Sequence, residues 1–515
     1  MSSNSLILIL TSLCVGTLAA IGPVANLPIV NKVIAPDGFS RSTVLAGGTF
    51  PGPLITAHNG DRLQINVQDE LTDNSMDLPT SIHWHGLFQK TTNYADGAAF
   101  VNQCPIIPEH SFLYEFSGNQ PGTFWYHSHF ATQYCDGLRG PIVIYDDNDP
   151  QKYLYDVDDE STVITLADWY HYKSHDPEAA GVPTWATGLI NGKGRYPDGP
   201  TNVSLSVVNV VHGKRYRFRL VQISCDPSFT FYIDQHLLTI IEVDGNNVHP
   251  LVVDNLQIFP GQRYSVVLHA NQPIANYWIR SQPIDPGNPD SPVSSLSGGQ
   301  NSAILRYAGA PNGDPTTSST LRLPLVETNL HPLNNARAPG NPVPGGADIN
   351  IQLNVAINAA VTAFVVNNAT YEPPSVPALL QILSGASAAQ DLLPKGSYYG
   401  LTPNKVVELV IPGGALGGPH AFSVVRSAGN ATYNFDNPVV RDVVTIGDTG
   451  DEVTIRFVTD NPGPWFFHCH IDWHLAVGFA AVFVEDAPDI PSRDPVPKAW
   501  QDLCPLYNNF LNSAS

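Results

Sequence analysis

Short apolar runs, each closed by proline, glycine, asparagine or aspartate, recur along the whole chain. The clearest lies at residues 62–69, where Leu63, Ile65 and Val67 alternate with polar residues as in a strand with one buried face. Further strands are predicted at residues 29–35, 41–45 and 54–57. Valine, isoleucine and threonine are common in these runs and long amphipathic helical patterns are scarce, so the pattern predicts an all-β protein.

The same pattern continues through the middle and the end of the chain. A second set of strands is predicted at residues 161–168, 203–210, 215–223, 229–233, 237–243, 251–259 and 263–269. Turn-forming residues indicate a loop at residues 283–300 and a linker at residues 309–320 and 332–347. Beyond the linker, strands are predicted at residues 405–411 and 452–458, with short helices after His470 and near residues 497–503.

Residues 462–479 read P-G-P-W-F-F-H-C-H-I-D-W-H-L-A-V-G-F, and residues 465–470 are predicted to form a short buried strand. A strand points successive side chains to opposite faces, so His468 and His470 share one face and Cys469 points to the other. A thiolate with imidazoles suits copper, and a trigonal His2Cys site suits a blue electron-transfer copper in particular. The segment therefore predicts two metal sites joined through one strand. The alternative is a buried cysteine among hydrogen-bonded histidines.

Two further histidine pairs precede this segment. His83 and His85 lie in S-I-H-W-H-G-L-F-Q, and His127 and His129 lie in P-G-T-F-W-Y-H-S-H. The second motif repeats P-G-P-W-F-F-H-C-H in the order of its Pro-Gly, its aromatic triplet and its histidines, so it indicates an internal repeat. Duplicated β-domains would let the two copies face each other across an interface.

The length and the charge of the chain limit what it can be. At 515 residues it is too long for one hydrophobic core, so roughly two to four domains are expected. Its net charge of −21 repels nucleic acid and anionic membranes, so neither is an expected partner.

The N-terminal segment favours secretion. Residues 6–18 are apolar but short, and small residues follow at Ala19 and Ala20, so residues 1–20 are predicted to be a signal peptide. No other run reaches the length of a membrane span. Three N-x-S/T sequons, at Asn202, Asn368 and Asn430, are candidate glycosylation sites.

The chain has six cysteines, of which Cys14 lies in the predicted signal peptide. Cys469, between two histidines, is the obvious free thiol. The remaining cysteines are disulfide candidates in an oxidising compartment, and they are Cys104, Cys135, Cys225 and Cys504. The sequence alone leaves three pairings open.

Three motifs, H-W-H-G, W-Y-H-S-H and H-C-H-I-D-W-H, resemble those of the multicopper oxidases in order and spacing. The flanking segments Q-Y-C-D-G-L-R-G-P, S-C-D-P and T-D-N-P-G-P-W-F are similar to those of basidiomycete-type fungal laccases. The resemblance covers essentially the whole mature chain. It implies three cupredoxin-like Greek-key β-sandwich or barrel domains with a few short helices, at residues 21–150, 151–320 and 321–515.

The resemblance also implies four copper ions, namely one type 1, one type 2 and a type 3 pair. His83 would ligate the type 2 copper, and Cys469 and His474 the type 1 copper. The type 3 pair would be held by His85, His127, His129, His468 and His470. Phe479 would occupy the axial position of the type 1 copper without ligating it, which favours a high reduction potential. The implied disulfides are Cys104–Cys504 and Cys135–Cys225.

The implied reaction is one-electron oxidation of phenols and aromatic amines, coupled to the four-electron reduction of dioxygen to water. Electrons would enter at the edge of His474 and pass from Cys469 to the neighbouring histidines. Asp226, in S-C-D-P, matches the carboxylate that receives the proton of the phenol, although without the resemblance a turn residue is the simpler interpretation. Asp96 and Asp472 match carboxylates that relay protons to the cluster, and each could equally be a turn or cap residue.

One motif of the family is incomplete in this chain. A segment of the form H-P-F-H-L-H-G-H supplies one ligand to each type of copper, whereas residues 417–429 read G-G-P-H-A-F-S-V-V-R-S-A-G. About seven residues, or roughly 23 Å of strand, are absent beside His420. His420 is either the second histidine of the type 1 site or the last histidine of the motif, which binds nothing. Our hypothesis is that the gap at residues 419–421 comes from a mispredicted or mis-spliced coding segment.

Three functions remain as hypotheses. The first is a secreted, extracellular laccase, expected to be a monomer that acts on phenolic small molecules with dioxygen, as in lignin degradation. The second is another multicopper oxidase such as a ferroxidase, against which Asp226 and Phe479 argue. The third is a copper-depleted, inactive laccase-like protein, which the gap at residues 419–421 would explain.

Overall fold

The computed structural model describes residues 20–179, 183–284, 292–358, 363–386, 388, 391–392, 395–413 and 419–514. Strands dominate it, as the apolar pattern predicts. Except for Ala20, the predicted signal peptide lies outside the described residues. Among the described helices, none is both long and apolar enough to cross a membrane.

The first part of the chain forms two four-stranded sheets, with strand orders β2-β1-β4-β6 and β3-β8-β7-β5. Their strands are β1 (Val24–Ile34), β2 (Arg41–Ala46), β3 (Ile55–His58), β4 (Asp61–Glu70), β5 (Ile82–His85), β6 (Ser111–Gly118), β7 (Gly122–Ser128) and β8 (Arg139–Tyr145). In β4, Leu63, Ile65 and Val67 are fully buried while the residues between them are partly exposed. The predicted alternation is therefore confirmed.

The second part forms a six-stranded sheet, β10-β9-β12-β17-β14-β15, and a five-stranded sheet, β11-β19-β18-β13-β16. Their strands are β9 (Val163–Trp169), β10 (Thr187–Ile190), β11 (Val207–Val210), β12 (Arg215–Gln222), β13 (Ser228–Ile233), β14 (Leu238–Val243), β15 (Asn246–Val253), β16 (Leu256–Ile258), β17 (Arg263–His269), β18 (Asn276–Ile284) and β19 (Ser302–Tyr307).

The single strand predicted at residues 251–259 is wrong. The segment belongs to β15 and β16, which lie in different sheets, and the chain crosses between them at Asp254 and Asn255. The Asp254 carboxylate accepts hydrogen bonds from the backbone N–H groups of Arg322 and Leu323, which fixes this crossing. Because the partners come from a distant part of the chain, the local apolar pattern contains no sign of the break.

The third part contains a five-stranded sheet, β20-β24-β27-β25-β26, a three-stranded sheet, β23-β29-β28, and the hairpin β21-β22. Its strands are β20 (Ile349–Gln352), β21 (Val355–Asn358), β22 (Ala363–Val366), β23 (Tyr398–Leu401), β24 (Val406–Pro412), β25 (Pro419–Arg426), β26 (Val440–Val443), β27 (Glu452–Val458), β28 (Gly463–His468) and β29 (Ala480–Glu485).

Helices are short and few. The α-helices are α1 (Ala378–Leu383), α2 (Asp472–Ala476), α3 (Ile490–Arg493) and α4 (Lys498–Ala514). Single 3-10 turns lie at Asn93–Ala95, Lys152–Leu154, Glu160–Thr162, Pro177–Ala179, Pro292–Ser294, Ser297–Gly299 and Glu327–Asn329. Helices α2 and α4 confirm the two predicted helices near the C-terminus.

The two copies of the repeated motif begin alike. Gly122 starts β7 and Gly463 starts β28, with φ angles of 150° and 155° that side chains rarely adopt. Both backbones are also crowded, because a Cβ on Gly463 would lie 2.5 Å from the side chain of Asn93 and one on Gly122 would lie 2.8 Å from Gly245. The glycine of each Pro-Gly therefore allows a buried, histidine-bearing strand to begin where a side chain would not fit.

Shared cores hold the three parts together. One apolar cluster contains strands of the first part together with Phe466, Val482 and Trp500 of the third, and another joins strands of the second and third parts. Disulfides join Cys104 to Cys504, 400 residues apart, and Cys135 to Cys225. Among the described cysteines the remaining thiol is Cys469, which is buried. The pairing implied by the resemblance is thus the pairing in the structure.

A buried carboxylate ties the first part of the chain to the second. Glu242 on β14 accepts a hydrogen bond of 2.8 Å from the backbone N–H of Thr123 on β7. The same carboxylate pairs with Arg217 and lies 3.5 Å from Arg219. Burial disfavours its charged form, but the two arginines outweigh burial and lower the pKa of Glu242 to about 2.

We predict that Glu242→Gln lowers the free energy of unfolding by about 3 kcal/mol, because it leaves buried arginine charge uncompensated. The contribution of Glu242 is present above its unfolded pKa near 4.5 and is lost as the pH falls from there through about 2. Urea unfolding at pH 7 and at lower pH measures both effects. Asp156→Asn is the matched control, since Asp156 forms an exposed ion pair with Arg215, which lies on the same strand, β12, as Arg217. An equal loss in both variants would contradict the prediction.

Candidate metal centre

Strands β5 and β7 bring the first four histidines together. They are antiparallel neighbours, and their register places His83 directly opposite His127. The ring centre of His83 lies 5.6 Å from that of His85, 5.3 Å from that of His127 and 5.5 Å from that of His129. One nitrogen from each of His83, His85 and His127 lies within 4.8 Å of the others. The two H-x-H pairs thus present four imidazoles to one space, as the period of a strand requires.

Strand β28 and the residues after it supply two more imidazoles from the third part of the chain. His468 Nε2 lies 3.3 Å from His129 Nε2, and His470 Nε2 lies 3.2 Å from His85 Nδ1. The three pairs therefore meet at the contact between the first and third parts. We call these six residues, His83, His85, His127, His129, His468 and His470, the histidine cluster.

Cys469 lies on the other side of the same backbone. Its Sγ is 3.5 Å from Nδ1 of His474, which the short helix α2 carries back beside it. The predicted strand over residues 465–470 ends at His468, but the N–H of Cys469 still donates to the carbonyl of Phe479, at 3.1 Å. The extended pairing with the neighbouring segment therefore continues past the end of the strand, and the alternation reaches the cysteine.

Backbone carbonyls orient several rings of the histidine cluster. The Nδ1 atoms of His83, His127 and His468 each lie 2.8 Å from a carbonyl oxygen, of Asp96, Ser128 and Cys469 respectively. A carbonyl accepts only, so each of these Nδ1 atoms carries the proton. The lone pair of each ring then lies on Nε2, the nitrogen that can bind a metal ion.

The electrostatics of the cluster favour neutral imidazoles. Burial, aided by the neighbouring histidines, lowers the pKa of His127, His129 and His470 well below 6.5. His127 Nε2 is buried and makes no hydrogen bond to any described residue. Buried lone pairs that converge without a donor are costly unless a cation lies between them. The residues therefore fit a metal, and an all-imidazole set of this kind suits copper.

The second group of donors is Cys469 with His474. Burial raises the pKa of the Cys469 thiol and lowers the pKa of His474 to about 4. Phe364 and Phe479 stack at 5.0 Å beside these donors, and Phe364 lies edge-on to His474. His420 is on β25, but its side chain lies outside the described residues. Cys469 and His474 thus supply two of the three ligands of a His2Cys site.

The three predicted carboxylates occupy different positions. Asp96 is buried beside His83, with Oδ1 3.5 Å from His83 Nδ1, and burial raises the pKa of Asp96. Asp472 begins α2, and burial raises its pKa to about 8. Asp226 is half-buried, its N–H donates to Asp168, and its charge helps to raise the pKa of Cys469. Asp96 therefore contacts the histidine cluster, whereas the Asp472 carboxylate lies 3.5 Å from Sγ of Cys135.

A cavity of about 480 Å³ opens beside the histidine cluster. His83, His85, His129 and His468 line it, together with apolar side chains of β24, β25 and β27, among them Leu409, Phe422 and Ile455. Lys90 and Asp460, which are exposed, lie at its edge. The histidine cluster therefore has open space on the side that faces β25.

Sequence reasoning missed two residues at these centres. Phe364 belongs to the short hairpin β21-β22, and Asp442 lies on β26, 3.5 Å from His85 Nε2. Neither stands in a histidine motif or in a pattern that points to metal chemistry, so no local signal could have found them. Of the three predicted glycosylation sites, Asn202 and Asn368 are exposed and Asn430 is half-buried.

Comparison with known proteins gives one consistent answer. Three segments, residues 29–149, 160–310 and 371–489, match family models that are each described as multicopper oxidase. Laccase-2 of Trametes versicolor is 58% identical over 507 residues, which cover 96% of each chain. The laccase of Phlebia radiata is 56% identical over 516 residues, which cover 98% of each chain.

Solved structures are similar over nearly the same length. The laccase of Botrytis aclada aligns with a TM-score of 0.81 at 31% identity, covering 95% of this chain and 92% of that one. Fet3p, described as a multicopper oxidase that functions in iron import, aligns with a TM-score of 0.79 at 28% identity, covering 93% and 94%.

We predict that His129→Ala weakens copper binding by at least about tenfold, because it removes a nitrogen that faces His468. Copper bound per chain after dialysis against a chelator measures the effect. His236→Gln is the matched control, since His236 is a buried histidine outside the cluster whose ring nitrogens contact Tyr307 and the carbonyl of Asp234. Because burial favours neutral imidazoles at His127, His129 and His470, wild-type protein should still take up copper below pH ~6.5, where a free imidazole is protonated. Copper uptake that follows a pKa of 6.5 would contradict this.

Proposed function

The chain is a member of the multicopper oxidase family and a laccase, and we propose that its metal-binding residues divide into two centres joined by one backbone. The alternation at His468, Cys469 and His470 carries this proposal, because it aims the thiol at one centre and both imidazoles at the other. Copper, which is the cofactor, supplies the one-electron chemistry by which phenols are oxidised and dioxygen is reduced to water.

The proposed ligands follow the two groups of donors. Cys469 and His474 would hold the type 1 copper, and His83 the type 2 copper. The type 3 pair would be held by His85, His127, His129, His468 and His470. This division gives four ions per chain. It is supported by the converging nitrogens of the histidine cluster and by the contact of Cys469 with His474.

His474 is the proposed point of entry for electrons. Its ring is partly exposed, whereas Cys469 is buried, so a phenol can approach the imidazole but not the thiol. Phe479, which stacks on Phe364, would occupy the axial position and offers no donor atom. A site without an axial donor favours the reduced state, so a high reduction potential is expected.

Carboxylates would handle the protons of the reaction. Oxidation of a phenol releases its hydroxyl proton, and the half-buried Asp226 carboxylate, close to Cys469, is the proposed acceptor. Asp96 and Asp472 are proposed to pass protons towards the histidine cluster. Their support is position, since Asp96 contacts His83 and Asp472 follows His470 by two residues.

We also propose that the natural chain carries about seven further residues, roughly 23 Å of strand, beside His420. The cavity of about 480 Å³ lies between β25 and the histidine cluster, where a longer segment would reach the ligands. Loss of these seven or so residues would leave both centres short of imidazole ligands and would leave open space beside them.

Sequencing the transcript across the codons for Pro419–Ala421 tests this. We expect additional coding bases at that point, encoding a histidine-rich segment in frame. A transcript that matches the present chain without an insertion would make the proposal wrong.

Location, oligomeric state and domain bounds complete the proposal. The chain is proposed to be secreted as a monomer after loss of residues 1–20, and to bind neither nucleic acid nor membranes. Its domains are proposed at residues 21–150, 151–320 and 321–515, and each sheet of the structure lies within one of these ranges. Lignin degradation is the proposed role.

We predict that Asp226→Asn lowers kcat/KM for a phenol by about 10- to 100-fold, because the variant cannot accept the proton. Ferrocyanide, which loses an electron and no proton, should be oxidised as fast as by the wild type. The loss should shrink as the pH approaches the phenol pKa near 10, where the substrate is already ionised. Oxygen uptake with both donors measures this, with Asp198→Asn, on an exposed turn, as control.

The same assay decides the wider function. Copper-loaded wild type should show the intense blue absorbance of a copper thiolate and oxidise phenols with consumption of dioxygen. Fast oxidation of ferrous iron with slow turnover of phenols would favour a ferroxidase instead. A colourless protein with little copper would mean that this chain, as sequenced, is inactive.

A further inference from the structure

One ring of the histidine cluster is oriented opposite to its neighbours. His85 presents Nδ1 to the cluster, 3.2 Å from His470 Nε2, whereas His83, His127 and His468 present Nε2. The other three rings are fixed by backbone carbonyls. At the other nitrogen of His85, Nε2, the structure places a different kind of group.

That group is the carboxylate of Asp442 on β26. Its Oδ1 lies 3.5 Å from His85 Nε2, and hydrogen bonds at active sites often shorten when a ligand binds. A carboxylate near Nε2 favours the ring form that carries its proton there and leaves the lone pair on Nδ1. The tautomer that Asp442 favours therefore puts the lone pair of His85 on Nδ1, the nitrogen that faces the cluster.

Asp442 is itself held rigidly. Both of its oxygens accept hydrogen bonds of 2.6 Å from the guanidinium of Arg263 on β17. Arg263 also donates to the carbonyl of Thr123 on β7, at 3.0 Å. All of these side chains are buried, so little water competes with the contacts.

Gly86 leaves room for this arrangement. It has a φ of 91°, and a Cβ there would lie 2.4 Å from the guanidinium of Arg263 and 2.9 Å from the Asp442 carboxylate. The absence of a side chain at Gly86 therefore allows the Arg263–Asp442 ion pair to lie next to His85. His85, Arg263 and Asp442 come from the first, second and third parts of the chain, so the contact is made only when all three parts are assembled.

We propose that Asp442, clamped by Arg263, is a positioning residue that fixes the protonated nitrogen of His85 and so turns its lone pair towards the cluster. The proposal rests on the proposed copper cluster, but its central claim concerns the protein before metal is bound. Through this contact, assembly of the three parts of the chain completes the ligand geometry at His85.

The test replaces the ion pair without leaving a lone charge. Asp442→Leu combined with Arg263→Met removes the acceptor facing His85, and apolar replacement of a buried ion pair is often tolerated. Asp442→Asn is a second variant, which keeps an oxygen at the site. Asp244→Asn is the matched control, because Asp244 contacts Arg263 and Arg441 in the same buried network.

Nitrogen-15 shifts of histidine in the copper-free proteins report which ring nitrogen is protonated, and the His85 signal is the one lost in His85→Ala. We expect wild type and Asp244→Asn to have the proton on Nε2 of His85, and the double variant to show a mixture. Copper affinity, measured against a competing chelator, should fall about 10- to 100-fold in the double variant, less in Asp442→Asn, and not in Asp244→Asn.

The outcomes separate this proposal from the wider one. If the double variant keeps the proton on Nε2 and binds copper as the wild type does, Asp442 is not a positioning residue. If the double variant does not fold, the copper affinity of Asp442→Asn decides the matter, and an affinity equal to that of the wild type would overturn the proposal. If wild type binds no copper, the proposed function fails, while the nitrogen-15 comparison still decides the role of Asp442.

Discussion

Alternation of three consecutive side chains, His468, Cys469 and His470, is the constraint on which both candidate metal centres depend. In an extended chain His468 and His470 point one way and Cys469 the other, so two sites a few bonds apart share no ligand. In a helix the same three side chains would fan out over successive directions of about 100° and could not serve two sites. The pairing of β28 with β29, continued by the N–H of Cys469 to the carbonyl of Phe479, enforces the extension. The chemistry of the molecule is thus set by secondary structure before it is set by any one ligand.

Features that depend on local sequence could be predicted, and features that depend on assembly could not. The alternation in β4, the shared faces of the H-x-H pairs and the helix that returns His474 all follow from neighbouring residues. The split between β15 and β16 and the position of Asp442 depend on segments far away in the chain. Motif spacing can tell which side chains share a face, but it cannot tell which buried carboxylate from another strand will lie behind them.

Buried charge marks the places where the parts of the chain meet. Glu242 with Arg217 and Arg219 lies between the first part and the second, and Arg263 with Asp442 connects all three. Such pairs add little net stability over apolar packing, yet breaking one partner is costly, so they mainly fix how the parts dock. A histidine cluster built from the first and third parts needs that docking to be defined to a fraction of an ångström. The ion pairs near the cluster therefore serve geometry more than stability.

The same reasoning explains why so apolar a framework surrounds the histidine cluster. A buried imidazole nitrogen without a hydrogen-bond donor among the described residues, such as Nε2 of His127, is unfavourable in the absence of a cation. Cores shared between the parts, together with a disulfide that closes a separation of 400 residues, can offset that cost. The fold thus holds the nitrogens in an arrangement that they would not adopt alone. A cation that enters the cluster would give such a nitrogen a partner without having to move the ligands, so binding is favoured by preorganisation as well as by the donors themselves.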